Sequence, residues 1–295
     1  MKLVIIANPV SGRGRPYRKL QRLISRWPYG DWQVEVVATQ GPEHAAALAR
    51  DLRTAGPDML AVCGGDGTLS EVASGLPDPP FPVLVLPGGT GNVMARELGL
   101  PLDPVAALAA GLRGSVRRVD LGILTGGRSS RFLLFVGAGF DAFVAERVRP
   151  AVKARLGIAA YYLETLRALA AYRFPEFEVV AGDETLRVSS CLVAGASRYG
   201  GGLVLTPEAD MSDGLLDLLA IRTRRKRDYL RLLSCARLGR APSFPWIERR
   251  RIRSAEVRGG PDVRVQADGE IAGMLPVSVA LSPAAFPLVV PAPPR

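Results

Sequence analysis

The sequence predicts an α/β chain in two parts: an N-terminal, mostly parallel α/β domain followed by a second, antiparallel β-sandwich-like domain. Three observations carry this. Over residues 2–100, short apolar runs alternate with helical ones, the pattern of a parallel sheet covered on both faces. Beyond about residue 115 the runs become short, β-rich and bounded by Gly, Pro and Asp, as in antiparallel sheets. The chain has 295 residues, beyond the usual reach of one hydrophobic core.

Taken in order, "KLVIIANP" reads as a strand, residues 16–26 as a helix, "WQVEVVAT" as a strand and "PEHAAALARDLRTAG" as a helix. "DMLAVCGG" is the third strand, "TLSEVASGL" a helix, and "FPVLVLPGG" a fourth strand leading into "NVMARELGL". Each strand ends in a glycine-rich or small polar loop, and open α/β sheets bind ligands beyond the carboxyl ends of their strands. Four loops, "NPVSGRG", "ATQG", "GGDGTLS" and "PGGTGN", are therefore expected along one edge. In the second part "RFLLFVGAGF", "FEVVAG", "SSCLVAGAS", "LLDLLAIR" and "VRVQADGEI" read as strands, interrupted by a helical stretch at 141–171 whose apolar stripe suits packing on a sheet. The expected boundaries are 1–122, 123–280 and a C-terminal segment, 281–295, returning to the first domain.

Composition excludes several classes. With 48% hydrophobic and 22% charged residues, the chain has material for packed cores and no disordered bias. The apolar run before Ala7-Asn8-Pro9 is too short for a signal peptide, and no stretch approaches the ~18 apolar residues of a membrane span, so a cytoplasmic protein is expected. Cys63, Cys191 and Cys235 are odd in number and far apart, which argues for buried thiols over a disulfide framework or zinc site.

The stretch "GGDGTLSEVASGL", residues 64–76, poses a chemical problem. Backbone N–H groups of a glycine-rich turn before a helix make an anion site, yet Asp66 would repel a phosphate. A divalent cation between them resolves the conflict, as magnesium does in phosphoryl transfer. A Mg-nucleotide is therefore expected here, although Asp66 could also simply cap the helix. No lysine follows a glycine, so there is no Walker-type phosphate loop, and no G-x-G-x-x-G opens a helix after the first strand.

"NPVSGRGR", "GGDGTLSEVASGL", "LPGGTGNVMARELGLP", "VDLG", "GFDAFV", "PEADMSDGLLDLL" and "ADGE" occur in an order and spacing that resembles the diacylglycerol kinase catalytic-domain family, which includes sphingosine and ceramide kinases. The likeness covers nearly the whole chain. It implies an ATP- and Mg2+-dependent lipid kinase, diacylglycerol giving phosphatidic acid, with the active site in the cleft between the two domains. Carried onto this sequence, it places Asn8, Pro9, Ser11 and Gly12 near phosphate and Thr39 beside the nucleotide. Gly64, Gly65, Asp66, Gly67 and Thr68 become the triphosphate loop, with Asp66 on the catalytic magnesium, and Thr90 and Asn92 complete the nucleotide edge. The proton acceptor for the lipid hydroxyl falls in Asp268-Gly269-Glu270, Asp268 first and Glu270 second; Asp-Gly between strands is also a hairpin turn in its own right. A structural Mg2+ is implied at Asp210, Asp213 and the Leu215 carbonyl. An NAD kinase-like phosphotransferase and a non-catalytic nucleotide sensor are the alternatives.

The net charge of +10 is concentrated: residues 222–258 hold thirteen Lys or Arg against three Asp or Glu, and the rest of the chain balances to zero. For an enzyme with a bilayer-embedded substrate, attraction to anionic lipid fits best, since each basic residue near such a surface is worth about 1 kcal/mol. An acidic partner protein or a solvated face are the other readings, and no nucleic-acid motif accompanies the segment. The expected partners are thus a lipid substrate and the inner face of the membrane, bound peripherally; a homodimer stays open.

Overall fold

The computed structural model describes residues 1–54, 56–127, 130–148, 158–240, 243–260 and 262–292. The chain forms two units, Met1–Val119 with Ala284–Arg295, and Asp120–Pro283.

In the first unit, β1 (Lys2–Ala7), β2 (Gln33–Ala38), β3 (Met59–Gly64) and β4 (Val83–Pro87) pair in parallel in the order β2-β1-β3-β4. β3 and β4 are buried along their whole length, whereas β2, at the edge, carries Gln33 and Glu35 on its more exposed positions. A continuous apolar run suits the centre of a covered sheet and an alternating one its margin. The helices are α1 (Arg15–Ile24), α2 (His44–Asp51), α3 (Asp66–Gly75), α4 (Val93–Glu97) and α5 (Pro104–Gly111). Local chemistry starts α5: the Asp103 carboxylate accepts from the Val105 and Ala106 N–H groups, with Pro104 in the first turn.

The second unit is a sandwich of antiparallel sheets. Its strands are β5 (Ser115–Thr125), which enters from the first unit, β6 (Ser130–Phe132), β7 (Phe135–Gly139), β8 (Phe177–Ala181), β9 (Glu184–Val188) and β10 (Ser190–Ala194). They continue with β11 (Arg198–Tyr199), β12 (Leu203–Val204), β13 (Leu216–Ile221), β14 (Ile247–Ile252), β15 (Ser254–Arg258), β16 (Arg264–Ala267), β17 (Glu270–Met274) and β18 (Val277–Val290). One sheet runs β14-β13-β10-β7-β16-β17. Facing it, β18 pairs β15 through Val277–Ala280, followed by β8 and β9. Inward residues of both sheets, among them Val136, Val193, Leu218, Val265, Val179, Val257 and Val279, form one core. Further along, Leu288 of β18 lies parallel to Val83 of β4, so the last strand contributes to both units.

The helices of this unit are α6 (Phe140–Arg147), α7 (Ile158–Ala171) and α8 (Lys226–Arg237). Of the helical stretch expected at 141–171, residues 149–157 lie outside the described residues, as do 241–242 of the basic segment. No helix among the described residues is long and apolar enough to cross a membrane. Burial pushes the Cys63 and Cys191 thiols up to about 12, which leaves them inert at neutral pH.

Candidate active site

The glycine corner of the first unit is two loops packed backbone to backbone. Gly88 N–H donates to the Gly64 carbonyl at 2.7 Å, and a Cβ on Gly89 would stand 2.5 Å from the Gly65 Cα. The sequence leads us to expect room for phosphate at these glycines; the structure shows that contact between the loops following β3 and β4 requires them too. Gly12 takes a left-handed φ of 54° and would, with a Cβ, meet the Gly88 carbonyl at 2.5 Å. The side chains of Asn8 and Ser11 are used to tie the corner together. Ser11 Oγ donates to the Gly88 carbonyl at 2.8 Å, Asn8 Nδ2 donates to Thr68 Oγ1 at 3.3 Å, and Asn8 Oδ1 accepts the Val10 N–H beyond Pro9. Asn92, in the left-handed region, closes its own loop by accepting the Gly89 N–H at 2.8 Å; Thr90 sits beside it, partly buried.

Asp66 opens α3, and Gly65 before it offers no side chain to cap the helix. The start of α3 borders a recess lined by Val62, Gly64, Gly65, Asp66, Leu69, Val85 and Asn92, and a helix start without a side-chain cap is where backbone N–H groups lack intrahelical partners. Gly67 and Thr68 follow in that turn. Asp66 Oδ1 accepts the Met94 N–H at 3.0 Å, and Oδ2 takes no hydrogen bond from a described residue. One hard oxygen is thus held in place and the other is available, which fits a magnesium ligand. Thr39, buried at the end of β2, donates its N–H to the Ala7 carbonyl and does not cap α2, whose N-cap is Glu43.

In the second unit Asp268 and Gly269 form the two-residue turn of the β16–β17 hairpin, both with positive φ, 48° and 90°, and Ala267 pairs with Glu270 across it. This is the turn geometry that Asp-Gly favours. The two carboxylates flanking the glycine have opposite surroundings. Asp268 is buried, and its carboxylate accepts three backbone N–H groups, from Leu133 at 2.8 Å, Leu134 at 2.9 Å and Phe135 at 3.0 Å. Glu270 is exposed, and its side chain makes no hydrogen bond or ion pair with a described residue. Asp268 therefore clamps the turn to the loop before β7, while Glu270 is available to solutes. Asp268 and Glu270, expected from sequence as first and second choice of proton acceptor, thus stand in opposite surroundings, one anchored and one exposed.

The turn carrying Asp210, Asp213 and Leu215 holds hard oxygens, and three of the carboxylate oxygens are engaged. Asp210 Oδ1 accepts from Ser212 N–H and Oγ, Asp213 Oδ1 from Leu215 N–H at 2.9 Å, and Asp213 Oδ2 pairs with the Arg251 guanidinium. Nearby Asp217 is held above the usual carboxylate range by burial, partly offset by Arg251. No three His, Cys, Asp or Glu side chains converge as a metal cluster among the described residues.

Comparison with known proteins bears on both units. Residues 2–124 match the diacylglycerol kinase catalytic domain, and residues 135–290 match the YegS C-terminal NAD kinase beta sandwich-like domain. The diacylglycerol kinase of Mycobacterium tuberculosis (strain ATCC 25618 / H37Rv) is 32% identical over 303 residues, covering 98% of this chain and 95% of the relative. The chain belongs to the diacylglycerol kinase family. A second relative, the diacylglycerol kinase of Bacillus subtilis (strain 168), is 28% identical over 277 residues, 92% of this chain and 90% of its own. A crystal structure of a diacylglycerol kinase from Bacillus anthracis str. Sterne superposes with a TM-score of 0.73 at 18% identity, covering 98% of this chain and 96% of that one. At that identity the likeness shows the fold alone. The family makes this protein a kinase, a phosphotransferase acting on a hydroxyl.

Within the kinase, the first unit brings together Asn8, Ser11, Gly12, Gly64–Thr68 and Asn92 in one corner, while the second holds Asp268 and Glu270 on one turn and Asp210, Asp213 and Leu215 on another. Sequence reasoning missed Asp141, Tyr199 and Gln266, which bond to one another inside the second unit. Asp141 and Gln266 are 125 residues apart; nothing in local spacing signals such a pair.

Proposed function

We propose that this protein transfers the γ-phosphoryl group of Mg-ATP to the hydroxyl of diacylglycerol, giving phosphatidic acid. The observation that carries the reading is the N-terminus of α3, which has no side-chain cap and carries Asp66 in its first turn, beside the glycine loops that line the recess. These N–H groups would bind the phosphates, and the available oxygen of Asp66 would hold the magnesium. The cation, when bound, shields phosphate charge from the approaching nucleophile.

Glu270 is the proton acceptor in this reading. Its carboxylate takes the proton of the lipid hydroxyl as that oxygen bonds to the γ-phosphorus. The bond from phosphorus to the β–γ bridging oxygen breaks, and ADP leaves. Asp268 fixes the turn that presents Glu270.

The expected docking partner is an anionic bilayer, and the exposed cations of residues 222–258 support that reading unevenly. On β14, Arg250 pairs with Glu184 and Arg251 with Asp213, so part of the segment's charge is balanced from outside it. Arg224, Arg225 and Arg227 are exposed where the chain enters α8, and the helix adds exposed Leu230 and, just beyond its end, Leu238. Cations beside exposed leucines are the composition of an interfacial helix.

The test is transfer of label from γ-labelled ATP to a panel containing diacylglycerol, ceramide, a sphingoid base and NAD. Diacylglycerol should be the preferred acceptor, and Asp66→Asn should lower turnover by roughly 100-fold or more, the scale of losing one preorganised electrostatic group. Phosphorylation of NAD in preference to every lipid would replace this reading with the second one, which the name of the C-terminal domain match favours.

A further inference from the structure

We propose that Asp141 is a positioning residue for the proton acceptor: by holding Gln266 it holds the Asp268–Gly269 turn from which Glu270 projects. The proposal rests on the role given to Glu270 above. Asp141 lies in the first turn of α6. One of its oxygens, Oδ1, accepts the Tyr199 hydroxyl, and Oδ2 accepts Gln266 Nε2 at 2.5 Å. At its other end, Gln266 Oε1 accepts the Gly269 N–H at 2.6 Å. Gln266 is 1% exposed, so its amide is largely committed to these two partners.

The backbone is shaped around this chain of bonds. The β16–β17 ladder shifts register between Val265 and Gln266, and such bulges re-aim side chains. On β7, Gly137 leaves the space: a Cβ there would stand 1.8 Å from Asp141 Oδ2 and 2.8 Å from Gln266 Nε2. Phe135, whose N–H anchors Asp268, has its ring 4.8 Å from that of Tyr199. Both ends of the network therefore converge on the same turn.

An ionised carboxylate only accepts hydrogen bonds. Facing Asp141, Gln266 must present its NH2 group, which leaves its carbonyl oxygen for Gly269. Protonated Asp141 is also a donor and no longer dictates that orientation; a flipped amide would set NH2 against the Gly269 N–H. Burial raises the Asp141 carboxyl to about 6, with the Gln266 hydrogen bond opposing the rise. Among the described side chains, the other titratable or charged groups on its own helix and the elements packed against it are Cys191 on β10, Glu270 on β17, Arg147 of α6, Glu146 of α6 paired with Arg264 of β16, and Glu164 paired with Arg167 on α7.

The test uses the full chain with glycine-selective 15N labelling, following the Gly269 amide from pH 4.5 to 8. In wild type it should titrate with a midpoint near 6, and Asp141→Asn should abolish that transition. Tyr199→Phe, which keeps the carboxylate but removes one donor to it, should move the midpoint upward; it serves as the second variant if Asp141→Asn does not fold. Kinetically, Asp141→Asn should lower kcat roughly 10- to 100-fold, the cost of a misplaced catalytic group. The KM for Mg-ATP should stay unchanged, and the acid limb of the wild-type kcat profile near pH 6 should disappear. A Gly269 midpoint that neither variant moves, or a wild-type kcat profile in Asp141→Asn, overturns the proposal. If Gly269 follows Asp141 but wild type phosphorylates no lipid, the network is supported and the reading of Glu270 is what fails.

Discussion

At the scale of single residues, the second unit gives opposite surroundings to the two carboxylates that the sequence ranks first and second as proton acceptor. Three backbone N–H bonds make Asp268 a clamp, whereas Glu270, two residues on, faces solvent. Their variants should therefore fail differently. Glu270→Gln should lose roughly 100-fold or more in kcat while melting with wild type. Asp268→Asn places an NH2 group against at least one N–H donor, at a cost of about 1–3 kcal/mol, and should lower the melting temperature by several degrees. Calorimetry beside a turnover assay separates them, and an Asp268→Asn variant that is stable but inactive would return the acceptor role to Asp268.

At the scale of elements, two segments carry charge that the structure redistributes. The Arg251 guanidinium pairs with the Asp213 carboxylate, so a cation at Asp210, Asp213 and the Leu215 carbonyl would have to compete with Arg251. Arg251→Gln should accordingly enlarge the rise in melting temperature on adding Mg2+, while Asp213→Asn should abolish it. An equal response in Arg251→Gln and wild type would remove this turn from the cation sites. For α8 and its approach, replacing Arg224, Arg225 and Arg227 together with Gln should weaken binding to anionic vesicles. It should lower activity on bilayer substrate and spare activity on a short-chain soluble analogue. The wild-type attraction should fade as salt shortens the Debye length from about 10 Å at 0.1 M to about 3 Å at 1 M. Salt-independent cosedimentation would contradict it.

At the scale of the whole molecule, proton linkage at Asp141 should set activity and stability against each other. With its carboxyl raised from 3.8 to about 6 by burial, Asp141 binds a proton in the folded state at pH values where the unfolded chain has released it. Its contribution to stability is fully present below about pH 4 and is lost as the pH rises through about 6. Moving from pH 7 to pH 5 should thus strengthen the fold through this group while reducing turnover. The melting temperature of wild type relative to Asp141→Asn should be higher at pH 5 than at pH 7. The opposite trend would show that Asp141 is ionised and paired across the whole range.

The sequence by itself determined the fold class, because alternating apolar runs with glycine-rich strand ends admit little besides a parallel α/β sheet, and short strands bounded by turns indicate a sandwich. It also determined the Asp-Gly hairpin, since residues 268 and 269 both need positive φ, and the family, through ordered motifs. Only tertiary structure decided which carboxylate is anchored, because the three N–H groups on Asp268 come from residues more than 130 positions away. The same holds for Gly89, whose missing side chain is explained by the backbone of Gly65 against it, and for Asp141, whose partners are remote in sequence. Local propensity reads neighbours along the chain; hydrogen-bond commitment and burial are set by neighbours in space.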